Sequence, residues 1–86
     1  MTNEGNNYMI HSWMVSKYGL SGNYLTCYAH LYAATEGGTK LYTDGYQAIS
    51  QAINVTVPTA YSVLSKLKLR GLLSYNSVGE IKLIRS

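Results

Sequence analysis

From Tyr46 to Ser65 the chain reads YQAISQAINVTVPTAYSVLS, and the fold turns on this stretch. Tyr46 to Ile53 reads as a short helix with Ile49 and Ile53 inward. Asn54-Val55-Thr56 follows as a tight turn, and Asn54 stands where positive φ is needed; after Gly, Asn bears that conformation best. Thr56 is placed to cap the next helix, and Pro58 falls in its first turn, where a missing N–H costs nothing. That helix is expected to run to Arg70, with Ala60, Val63, Leu64 and Leu67 on one face and Gly71 as its stop. Beyond it, Leu72–Asn76 and Glu80–Arg85 alternate apolar and polar residues. Joined through Ser77-Val78-Gly79, they read as a β-hairpin.

Upstream the signals are weaker. Residues 1–7 are polar and read as a flexible terminus, and Tyr8-Met9-Ile10 is a short apolar run. His11 to Tyr18 reads as a short helix stopped by Gly19. Ser21 is a candidate N-cap for a longer helix, with Leu20 and Leu25 at the spacing of a hydrophobic staple. Leu25, Tyr28, Ala29 and Tyr32 form its buried stripe, and Gly37-Gly38 is expected to end it. Thr39–Tyr42 is a short strand candidate. The fold class is therefore α+β in a single domain over residues 8–86.

Composition narrows the function. The chain has 86 residues, of which 47% are hydrophobic and 13% charged, about half the usual roughly 25% charged share. Glu4, Glu36, Asp44 and Glu80 are its only acids, a poor stock for acid–base catalysis, so no enzyme, catalytic residue or cofactor is expected. Cys27 and His30 lie one helical turn apart, yet no spacing supplies further ligands, so no metal site is expected either. No run approaches the ~20 apolar residues of a membrane span, and a lone cysteine suits a reducing, cytoplasmic setting. Residues 1–44 carry two cations against three acids, whereas residues 45–86 carry five against one. An anionic partner for the second half follows from that asymmetry.

Helix, turn, helix, hairpin is also the order of a winged helix-turn-helix. That motif wants apolar residues where Ile49, Ile53, Val55, Ala60 and Val63 stand, a small residue at Ser50, and Gly or Asn at Asn54; all seven positions fit. Upstream, Trp13-Met14, Gly19-Leu20-Ser21-Gly22-Asn23, Leu25, Tyr28-Ala29 and Tyr32 resemble the opening of replisome organisers and replication initiators of phages and mobile elements in Gram-positive bacteria. Tyr24 departs from that pattern, which has an acid there. The resemblance implies three main helices, a short N-terminal helix and a two- to three-stranded wing sheet, with the helix-turn-helix at 46–70 and the wing at 72–85. It also implies double-stranded DNA binding in replication initiation or transcriptional control.

On that reading the second helix of the motif lies in the major groove. Thr56, Val57, Pro58, Thr59, Tyr61, Ser62 and Ser65 would face bases, and Lys66, Lys68, Arg70, Lys82 and Arg85 would face phosphates. With no Arg, Asn or Gln among the base-facing set, discrimination between sequences should be small. Neutralising about four phosphates would give a salt slope of about −3.6. The competing expectation is a protein-interaction module on the same frame, with little DNA binding. Leu69 falls on the outward side of the helix, and surplus tyrosines stand near it. Together they predict a weak homodimer or another protein partner.

Overall fold

Thr56 and Gly71 bracket the helix between them as their chemistry dictates. In the computed structural model, which describes residues 10–84, this helix is α4, Val57–Leu69. The Thr56 hydroxyl accepts the Thr59 N–H at 3.3 Å, satisfying one of the orphan donors of the first turn. At the other end Gly71 takes φ 78°, and the Leu72 N–H closes back on the Leu67 carbonyl at 3.0 Å. Three further helices precede it: α1 (Ser12–Ser16), α2 (Gly22–Ala34) and α3 (Gly45–Ala52). The strands β1 (Leu73–Tyr75) and β2 (Ile81–Leu83) form a two-stranded antiparallel sheet with Ser74 opposite Lys82. Residues 1–9, 85 and 86 lie outside the described residues, and with them the terminus at 1–7, Tyr8, Met9 and Arg85.

Between α3 and α4 the backbone follows the sequence reading. Asn54 has φ 60°, and the Val55 N–H bonds the Ser50 carbonyl at 2.9 Å. Ser50 is buried, with its hydroxyl donating to the Gln47 carbonyl at 2.7 Å, so its polar atom is satisfied. Asn54→Gly is expected to be neutral or stabilising. Asn54→Val should cost at least ~1 kcal/mol, because a β-branched residue is strained at this φ. Urea melts of the two variants check this, and a Val variant as stable as wild type would contradict it.

Three local expectations need correction. Ser21 occupies the N-cap position of α2 with extended backbone, but its side chain makes no cap hydrogen bond. Gly22 follows at φ 56°, outside the right-handed conformation that lets a cap hydroxyl reach the next turn, so the amino end of α2 stays uncapped. At its other end α2 stops before Gly37-Gly38. Buried Thr35 donates to the Leu31 carbonyl at 2.7 Å and accepts the Gly38 N–H at 3.0 Å, and Glu36 itself takes φ 52°. The strand expected over Thr39–Tyr42 reduces to one bridge, Tyr42 to Ile81, with bonds of 2.8 and 3.0 Å. Its first residues are taken up by the turn, since the Thr39 and Lys40 N–H groups both bond the Thr35 carbonyl. The hairpin strands are also shorter than expected, although Asn76–Glu80 and Ile84–Leu72 hydrogen bonds continue the ladder past each end.

All four helices and both strands contribute to one core. Met14, Leu20, Tyr28, Leu31, Ile49, Leu64, Leu67 and Leu73 are its largest fully buried apolar side chains. The stripe of α2 is wider than expected: Cys27 and Leu31 are fully buried with Tyr28 and Ala29, whereas Leu25 and Tyr32 lie at the rim. Tyr28 is at the centre. Its ring meets Tyr18 edge-on at 5.6 Å and Trp13 at 6.0 Å, tying α1 to α2.

Candidate nucleic-acid interface

Ala60, Val63, Leu64 and Leu67 bury one face of α4, so its opposite face is set by the helical period of 100° per residue. Pro58, Ser62, Ser65 and Leu69 form the crest of that outer face. Tyr61 and Lys68 lie on the flank towards α3 and the sheet; Thr59, Lys66 and Arg70 lie on the flank towards α2. Val57, Pro58, Thr59, Tyr61, Ser62, Lys66 and Lys68 are all exposed, and Ser65 is half-buried. The amino half of the crest is thus uncharged and rich in hydroxyls. The Thr56 hydroxyl donates to that of Thr59 at 2.9 Å, which fixes the first turn.

A groove of about 510 Å³ runs beside this amino half, lined on one side by Pro58, Thr59 and Ser62 and on the other by Ser21, Gly22 and Asn23. The uncapped amino end of α2 therefore borders the exposed part of α4. Backbone N–H groups at such an end carry partial positive charge and favour anions. No sequence signal marks this feature, because Ser21 reads as an ordinary N-cap.

The expected phosphate-facing cations are not gathered in one place. Lys66 and Lys68 lie on opposite flanks of α4, Lys68 standing 5.2 Å over the Tyr75 ring. A guanidinium nitrogen of Arg70 donates to the Tyr18 carbonyl, which ties the end of α4 to the segment after α1. Lys82 alternates with buried Ile81 and Leu83, so it points to the outer face of the sheet, away from the core that α4 packs on. Arg85 lies outside the described residues. Among the described residues the acids are off α4: Glu36 pairs with Lys40 at 2.9 Å, and Glu80 accepts from the Asn76 amide at 2.8 Å.

Chemistry at the remaining candidates is muted. Burial pushes the Cys27 thiol up to about 12, so it stays protonated in the core at neutral pH. His30 Nε2 lies 3.1 Å from the Tyr42 hydroxyl; burial lowers its pKa, against a smaller opposing pull from Asp44. Burial likewise raises the Tyr42 phenol to about 12. No three His, Cys, Asp or Glu side chains come together in metal-binding geometry among the described residues. No described helix is long and apolar enough to cross a membrane. The chain matches no protein-family model, no curated protein and no solved structure.

Proposed function

We propose that this chain is a winged helix-turn-helix module that binds double-stranded DNA through the amino half of α4. The frame is supported by the order of elements: α2, the Tyr42 bridge to β2, α3, a turn with left-handed Asn54, α4, and a hairpin as wing. One observation carries the binding surface. The amino half of α4 is exposed, free of acids, and shares a groove with the uncapped amino end of α2. A duplex held against α4 would have its bases facing Val57, Pro58, Thr59, Tyr61 and Ser62. Its backbone would be met by the Ser21–Asn23 N–H groups and by Lys66. Hydroxyls and apolar groups read bases weakly, so binding tolerates many sequences. The likeness of residues 13–32 to replication initiators favours a cytoplasmic role at a phage or mobile-element origin or promoter.

Salt-dependent titration against random duplex tests the proposal. With Arg70 engaged at Tyr18 and Lys82 facing off the sheet, Lys66 and Lys68 remain among the described cations, giving a log–log slope of about −1.8. Lys66→Ala and Lys68→Ala should each flatten that slope by about 0.9 and weaken all sequences alike. Lys82→Ala should do less, because it faces away from α4. Absence of salt-dependent binding at low ionic strength would sink the DNA reading.

A further inference from the structure

The carboxyl end of α4 has a different surface from its amino half. Leu69 is 86% exposed and stands as a ridge between two hollows. The hollow on the sheet side, about 420 Å³, is lined by Tyr46, Tyr61, Ser65, Lys68, Leu69 and Tyr75. Tyr61 meets Tyr46 edge-on at 5.3 Å, and the Tyr75 hydroxyl is closed off from water beside Tyr46. The hollow on the other side, about 320 Å³, is lined by Tyr24, Lys66, Leu69 and Arg70. Each hollow combines aromatic wall with cation, and no described residue lining either is acidic.

We propose that this end of α4 is a docking surface for an acidic segment of a partner protein, with Leu or Phe interleaved among its carboxylates. Charge complementarity argues for this occupant: Lys68 edges one hollow and Lys66 the other, and apolar side chains entering beside Leu69 bring carboxylates up to both. Nucleic acid suits the surface less, since phosphates gain nothing from an exposed leucine or from tyrosine edges. A second copy of the chain has little to offer it: among the described acids Glu36 and Glu80 are engaged by Lys40 and Asn76, which leaves Asp44 alone, at the amino end of α3.

The test uses the whole chain and a fluorescently labelled synthetic peptide with Glu, Leu and Phe at helical spacing, read by anisotropy. Saturable binding is expected, weakened about tenfold or more by Leu69→Glu and by uncharged Leu69→Gln, as for an interface anchor. Lys68→Glu should weaken it too. Two control peptides, one with Leu and Phe replaced by Ser and one with Glu replaced by Lys, should not bind. Leu69 is exposed, so both variants keep the fold, and circular dichroism verifies this. The proposal is overturned if the first peptide fails to saturate, or if the Leu69 variants bind it as wild type does. It is overturned in favour of a second copy if the chain self-associates through Leu69 in sedimentation equilibrium and ignores the peptide.

Discussion

Tyr28→Ala is expected to shift the urea midpoint of the domain far below that of wild type. Removing a large buried aromatic costs about 3–5 kcal/mol, through lost transfer energy and the cavity left behind. A domain of this size has a total stability of roughly 4–13 kcal/mol, so one substitution removes a large share of it. Tyr28 is fully buried, and its ring carries the edge contacts to Trp13 and Tyr18 that attach α1. Its hydroxyl reaches the Ile84 carbonyl only at 3.4 Å, so Tyr28→Phe should cost under about 1 kcal/mol. Urea denaturation followed by circular dichroism separates the two. If the Ala variant melts within about 1 kcal/mol of wild type, the aromatic cluster is not the keystone of the α1–α2 junction.

Ser62→Glu is expected to abolish duplex binding, with a loss of at least about 100-fold at low salt, or roughly 3 kcal/mol. Ser62 is on the crest of α4, exposed, and borders the groove shared with α2. A carboxylate there would press a negative charge into the proposed duplex interface, where it is repelled by the phosphates. The fold should tolerate it, since Glu is at least as good a helix former as Ser and exposed substitutions shift stability by about 0.5 kcal/mol or less. Ser62→Ala, which adds no charge, should bind nearly as wild type. Wild-type affinity in the Glu variant would mean that the amino half of α4 does not enter the groove, whatever the lysine variants do.

Much of the fold was legible because local chemistry and global packing agree over residues 46–75. Asn54 after Ile53, Thr56 before Pro58, and Gly71 after Arg70 each mark a boundary by their own backbone preferences, and the structure keeps all three. The apolar period of Ala60, Val63, Leu64 and Leu67 likewise set the buried face of α4, and with it the outward position of Leu69. Where two local signals competed, the sequence was a poorer guide. Ser21 and Gly22 both suit a helix start, but the left-handed Gly22 disables the cap that Ser21 alone would make. Thr35 outcompeted Gly37-Gly38 because a buried hydroxyl can close the last turn of α2 from inside the core.

Residues distant in the chain were decided only by tertiary structure. The Tyr42–Ile81 bridge, the reach of Arg70 to the Tyr18 carbonyl, and the meeting of Tyr46, Tyr61 and Tyr75 span 29 to 52 positions. No periodicity encodes such contacts, since they depend on how the helices pack. The distribution of charge shows the difference most plainly. By itself the sequence determined that the second half is basic and that α4 carries its cations near its end. Helical period already parts Lys66 from Lys68 and strand alternation already turns Lys82 off the core, whereas only packing decided that Lys68 would stand over the Tyr75 ring and that Arg70 would turn inward to the Tyr18 carbonyl. Helical period and strand alternation direct each side chain, but the neighbouring elements decide what lies in that direction.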